Sequence, residues 1–220
     1  MIQNNPAETA LVIAGAWNPA ILTPEWVLRH GLERQGDERV QVLLPVGAGI
    51  IFEFPRYTLG DFSYVVRPDA LIIAPPETTE DRVKTSEIAM VRMLEILRHT
   101  PVTGLGHNFE FRDDAPDPRY VAIFSAARQD LVDEMPEGWE PASTNITSSF
   151  QNKAGNIVIN ITRTLDAGVI VVKFNFHHVI NSIDQVLQVL RGEDGYARMW
   201  ANYDTASQLM QALYGEENGN

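Results

Sequence analysis

One stretch, residues 156 to 180, constrains the fold of this chain more than any other. It reads NIVINITRTLDAGVIVVKFNFHHVI and contains two β-rich runs, Ile157 to Leu165 and Gly168 to Val179. The runs meet at Asp166-Ala167-Gly168, where glycine permits the backbone angles of a tight turn. The stretch therefore predicts a long antiparallel β-hairpin.

The second strand of this hairpin carries two different kinds of side chain in alternation. Successive residues of a strand point to opposite faces of a sheet, so its apolar residues fall on one face. These residues are Ile170, Val172, Phe174 and Phe176. The opposite face begins with valines and becomes polar at Lys173, Asn175 and His177. We expect the first face to join a hydrophobic core.

The rest of the chain supplies further strands and several helices. Strands are predicted over residues 11–17, 40–46, 50–57, 62–67, 70–74, 102–112 and 143–151. Thr23 followed by Pro24 predicts a helix start, and Gly31 its end. The longest helix is predicted from Thr79 to about His99, with two closing helices at about 182–191 and 193–214. The predicted fold class is α+β, with antiparallel meander sheets packed by a long central helix and two C-terminal helices.

Two connections carry strong turn signals. Residues 113–118, DDAPDP, predict an acidic loop, after which Ser125 is expected to cap a short helix to about Met135. Gly47-Ala48-Gly49 predicts a turn between two strands. Residues 136–142 are the best candidate boundary. They separate an N-terminal α+β half, 1–135, from a C-terminal hairpin and helical half, 136–220, unless the two form one continuous domain.

Composition excludes several classes of function. The 220 residues carry a formal net charge of −12, which repels a phosphate backbone, so we expect no nucleic-acid partner. There is no cysteine, which removes disulfides and thiol chemistry. No stretch reaches the roughly 18 apolar residues of a membrane helix, and the N-terminus lacks a basic segment before its apolar run. We therefore expect a soluble, cytoplasmic protein without a membrane partner.

Candidate metal ligands and cofactor motifs are weak. His177 and His178 are adjacent in a strand and so point to opposite faces, which prevents them from chelating one ion together with His107. The chain also lacks the common phosphate-loop, esterase and zinc-protease motifs. We predict no metal site and no cofactor.

The polar side of the hairpin is the best candidate for a functional surface. The candidate binding residues are Asn160, Lys173, Asn175, His177 and His107. Such a face can line a ligand cleft or a subunit interface, although a sheet face open to water has the same pattern. We expect a non-catalytic binding or assembly protein that forms a homo-oligomer and has a protein or small-molecule partner. The alternative is a small-molecule enzyme with a pocket near His107, Glu110 and His177.

Overall fold

The computed structural model describes residues 2–34, 38–44, 54–192 and 195–215, which contain ten strands and six α-helices. The strands are β1 (Gln3–Asn4), β2 (Ala10–Gly15), β3 (Val40–Leu43), β4 (Arg56–Leu59), β5 (Phe62–Arg67), β6 (Ala70–Ala74), β7 (Val102–Asp113), β8 (Ser143–Gln151), β9 (Ile157–Asp166) and β10 (Val169–His178). The helices are α1 (Pro24–His30), α2 (Glu80–Ile96), α3 (Pro118–Ala126), α4 (Gln129–Asp133), α5 (Ile183–Arg191) and α6 (Arg198–Tyr214).

All ten strands belong to one antiparallel sheet. Its order is β3-β4-β5-β6-β2-β7-β10-β9-β8, with β1 also paired to β7. Two meanders, β3 to β6 and β8 to β10, therefore flank a centre made by β2 and β7. The predicted halves meet at the pairing of β7 with β10, which runs from Ile170 opposite Asp113 to His178 opposite Leu105. The α+β prediction with antiparallel meanders is confirmed.

The hairpin of β9 and β10 forms as the sequence predicts. Ala167 and Gly168 occupy its turn with φ angles of 47° and 82°, and two positive φ angles are what a two-residue hairpin turn of the favoured twist requires. The apolar series on β10 is buried, with Val172 fully inaccessible to solvent. Period-two alternation thus placed this strand correctly.

The helices cover one face of the sheet. On α2, Val83, Met90 and Leu94 form an apolar stripe at helical spacing that is fully buried, and α2 packs against α5 and α6. The start of α1 is also as predicted, because the Thr23 hydroxyl accepts a hydrogen bond from the Trp26 amide at 3.3 Å. None of the helices in the described ranges combines the length and apolarity that a bilayer crossing needs.

The predicted helix start at Ser125 is wrong. Helix α3 begins at Pro118, and the Asp117 carboxylate caps it by accepting from the Arg119 amide at 2.8 Å. Ser125 lies inside this helix and donates to the Val121 carbonyl at 3.4 Å. An N-cap carboxylate followed by proline at the first helical position is the stronger signal, and it ends the acidic loop early. The predicted turn at Gly47-Ala48-Gly49 lies outside the described residues.

Candidate functional site

The face of the sheet opposite the helices is polar across four strands, and we call its residues on β7 to β10 the polar face. The antiparallel register places Asn108, Asn175, Asn160 and Ser149 side by side on successive strands. The next row contains Glu110, Lys173, Thr162 and Thr147. Four of the five predicted binding residues lie on this surface. They are Asn160, Lys173, Asn175 and His177.

The first row is a continuous chain of hydrogen bonds. The Ser149 hydroxyl donates to Asn160 Oδ1 at 2.7 Å, and Asn160 Nδ2 donates to Asn175 Oδ1 at 3.3 Å. Asn175 Nδ2 then donates to Asn108 Oδ1 at 2.6 Å. Each bond runs in the same direction, from β8 towards β7. Bonds linked in this way polarise one another, so the row orders four side chains as a unit.

The second row contains a buried carboxylate with two partners. Glu110 is 6% exposed, and its Oε2 lies 3.1 Å from the Nζ of Lys173. Its Oε1 accepts from Asn5 Nδ2 at 2.7 Å. Both carboxylate oxygens are therefore engaged, as a buried charge requires. This arrangement ties the segment after β1 to the centre of the sheet.

Two glycines of β7 make room for larger side chains of β10. A Cβ atom at Gly104 would stand 2.8 Å from Cε1 of His177, and one at Gly106 would stand 3.2 Å from Nδ2 of Asn175. Real Cβ atoms do not approach ring atoms so closely. The His177 ring therefore occupies the space that a side chain at position 104 would need.

A shallow groove of ≈ 450 Å³ crosses the polar face. One side is aliphatic, with Ala10, Val12 and Ile72, and the other is the amide row. Basic and acidic side chains both reach the groove, and their charges offset one another. They are Arg56, Lys173, Glu8 and Glu110. The groove offers hydrogen bonds and apolar contact but no excess of either charge.

His107 does not share this surface. It is fully buried on the helix side of β7, where its Nδ1 lies 2.7 Å from Asn202 Nδ2 and its ring packs against His178 at a centroid distance of 5.3 Å. An odd and an even residue of one strand face opposite ways, so His107 cannot join Glu110 on β7. Nor does it reach His177. The sheet therefore separates His107 from the other two residues of the predicted pocket.

Burial sets the charge state of the two core histidines. It lowers the pKa of His107 well below its usual value and the pKa of His178 to about 4, and the nearby Arg198 acts in the same direction. The Nε2 atoms of both rings are buried without a hydrogen-bond partner among the described residues. Both histidines are thus neutral at pH 7, because burial without a hydrogen-bond partner disfavours the charged form.

A buried glutamate on α2 is a residue that the sequence reasoning missed. Glu87 is fully buried, and its Oε1 accepts from the Met199 amide in the first turn of α6 at 3.0 Å. Burial raises its pKa to about 7. Its position inside the apolar stripe of α2, between Val83 and Met90, is the sequence signal that marks it.

The free edge of β8 completes the polar face. Asn152, just after the strand, donates its amide to the Ile157 carbonyl at 3.0 Å, which makes this pair hydrogen-bonded in the β8 to β9 register. In an antiparallel ladder such pairs recur every second residue, so the even residues of β8 bond to β9. The odd residues turn their N–H and C=O groups outward. They are Ser143, Asn145, Thr147, Ser149 and Gln151, and all are exposed.

Neither a group of metal ligands nor a similar protein indicates a function for the polar face. In the described ranges no three histidine, aspartate or glutamate side chains are grouped closely enough to hold a metal ion. No protein-family model matches the chain, and a search of curated proteins finds no similar sequence. The geometry of the molecule is therefore the evidence for its function.

Proposed function

We propose that this chain is a non-catalytic binding and assembly protein that self-associates by joining the β8 edges of two copies into one continuous sheet. The observation that carries the proposal is the edge itself. β8 is a regular nine-residue strand, STNITSSFQ, that pairs with β9 and with no other strand of the described residues. The polar face then becomes a surface shared by two copies.

The chemistry of β8 favours association. Sheet proteins normally protect an exposed edge with lysine, proline, inward charges or a bulge, because unpaired backbone groups attract another strand. β8 contains no proline and no charged residue, and its register with β9 shows no shift. The chain as a whole carries a net charge of −12, so an uncharged strand is where two copies can approach with least repulsion.

The strand is also suited to pairing with itself. In a two-fold antiparallel pair centred on Thr147, Thr147 faces the partner's Thr147 and Asn145 faces the partner's Ser149. All of these residues have outward backbone groups, so each outward N–H and C=O along the strand finds a partner. Ser149, at the end of the amide row, then lies beside the partner's Asn145.

Apolar contact on the helix side adds to this pairing. Phe150 lies on the helix side of β8 and is 57% exposed, and in the same two-fold register it faces the partner's Thr144. Burial of one such ring is worth roughly 1.5–3 kcal/mol, and symmetry supplies it twice. This gain offsets part of the rotational and translational entropy that two copies lose on association.

The separation of His107 from Glu110 and His177 supports a binding role over the enzyme alternative. An enzyme with that pocket needs the three side chains to converge, and they lie on different faces of the sheet. A cytoplasmic location stays a prediction from the sequence.

The test is the molar mass in solution, measured by light scattering on a size-exclusion column at two concentrations. We expect a dimer for the wild type. Thr147→Pro should give a monomer with an unchanged circular dichroism spectrum, because it deletes an outward N–H and leaves the β8 to β9 bonds intact. Thr147→Val keeps that N–H and should stay dimeric. A monomeric wild type, or a folded Thr147→Pro variant of dimeric mass, would refute the proposal.

A further inference from the structure

A cavity lies away from the polar face, between α6, α3 and the end of β7. Its volume is ≈ 620 Å³, which falls in the range of small-molecule sites. Aromatic side chains form much of its wall. They are Phe111, Tyr120, Tyr203 and Tyr214. The Phe111 and Tyr203 rings are stacked at 6.1 Å, and Tyr120 meets Tyr214 edge to face at 4.9 Å.

One residue in the α6 wall of the cavity is small. Tyr203, Ser207, Met210 and Tyr214 follow helical spacing and line the same wall, with serine where its neighbours are large. The Oγ atom of Ser207 is buried and has no hydrogen-bond partner among the described residues. A buried hydroxyl without a partner costs about 1–3 kcal/mol. Ser207 therefore lowers the stability of the fold and gains no hydrogen bond from the described residues.

Charged side chains at the cavity already have partners within the chain. Arg119 pairs with Asp117 at 3.0 Å, and Asp113 accepts from the Ala115 amide at 3.2 Å. A charged ligand would have to displace these contacts, whereas an uncharged one need not. The apolar wall is also made of aromatic faces and edges, which pack best against another planar ring.

We propose that this cavity binds a small, uncharged aromatic compound bearing one N–H or O–H group that donates to Ser207 Oγ. The aromatic wall provides contact area for the ring, and the serine hydroxyl orients it. This site is independent of the β8 edge. Its failure and the failure of self-association can be observed separately, because one is measured by ligand binding and the other by molar mass.

The probe is indole, and its matched control is indene, which has nearly the same shape but no N–H group. Binding is followed by amide chemical-shift changes in two-dimensional NMR spectra and by calorimetry on the full chain. We expect indole to bind more tightly than indene, with shifts concentrated on α6 and the end of β7. Failure of indole to bind up to its solubility limit, or shifts located elsewhere, overturns the proposal.

Two substitutions separate a binding site from a packing defect. Ser207→Ala should weaken indole about 3- to 10-fold, the value of one hydrogen bond, leave indene unchanged and raise the melting temperature. Ser207→Leu places a branched side chain where the ring would lie and should abolish binding of both compounds. Equal effects of Ser207→Ala on indole and indene, or retained binding in a folded Ser207→Leu variant, overturn the proposal.

Discussion

Replacing His178 by glutamine should change how stability responds to acid. In the folded chain the pKa of His178 is about 4, whereas a histidine in an unfolded chain titrates near 6.5. Between these values the unfolded state binds a proton that the folded state excludes. Stability from this residue is therefore complete above pH 6.5 and is lost as the pH falls towards 4. Glutamine does not titrate and removes that loss.

The size of the effect follows from the two pKa values. Between pH 7.5 and pH 5.0, proton binding to His178 in the unfolded chain lowers the free energy of unfolding by about 2 kcal/mol. His107 acts in the same direction, because burial also lowers its pKa. Glu87 acts in the opposite direction, because its pKa is raised to about 7. The Glu87 contribution cancels when the wild type and His178→Gln are compared at the same two pH values. The His107 contribution keeps its sign in both proteins, because burial, the largest cause of its lowered pKa, does not depend on His178.

The assay is urea unfolding followed by tryptophan fluorescence at pH 7.5 and 5.0, with one protein concentration throughout. We expect the acid-induced loss to be about 2 kcal/mol smaller in His178→Gln than in the wild type. His99→Gln changes an exposed histidine and should keep the wild-type response. If His178→Gln loses as much stability on acidification as the wild type, the neutral buried state of His178 is refuted.

Two further substitutions test the interior and the polar face. Glu87→Gln keeps the acceptor for the Met199 amide but cannot ionise, so it should match the wild type near pH 4.5 and exceed its stability at pH 8.5 by about 2–3 kcal/mol in urea unfolding. A stability difference between Glu87→Gln and the wild type that is the same at pH 8.5 as at pH 4.5 would contradict it, because His107 and His178 are present in both proteins. Asn175→Ala breaks the amide row at two bonds and should cost about 1–3 kcal/mol, whereas Thr164→Ala at the exposed end of the face should cost about 0.5 kcal/mol or less. Equal losses in the two variants would show that the row does not act as a unit.

Local signals predicted much of the fold. The hairpin of β9 and β10 follows from alternation and a glycine turn, and the start of α1 follows from Thr23 and Pro24. The apolar stripe of α2 is also where its spacing places it. In each case neighbouring residues determine the geometry, because the turn, the cap and the stripe each lie within one segment of the chain.

The order of the strands in the sheet could not be predicted from local signals. β2 lies between β6 and β7, and no residue of β2 specifies these distant neighbours. Strand order depends on packing between segments far apart in the chain, and local sequence patterns contain no information about that packing. Asn108 was missed as the end of the amide row for this reason, since its place beside Asn175 requires the register of β7 with β10.

The placement of His107 could have been inferred in part. His107 and Glu110 are three residues apart on one strand, and odd separations along a strand mean opposite faces. The aromatic cavity could not be predicted from the sequence. Ser207 looks like an ordinary helix residue until Phe111 and α3 are placed opposite it. Cavities arise between elements, so a small residue marks one once its neighbours are known.

The contact between position 104 and His177 makes the two positions genetically dependent on each other. A side chain at position 104 has room when the residue at 177 is small, and the His177 ring has room because position 104 is glycine. The effect of a substitution at either position therefore depends on the residue at the other, which is pairwise epistasis with a steric cause. A library that varies His177 alone samples a different set of tolerated residues from one that varies both positions together.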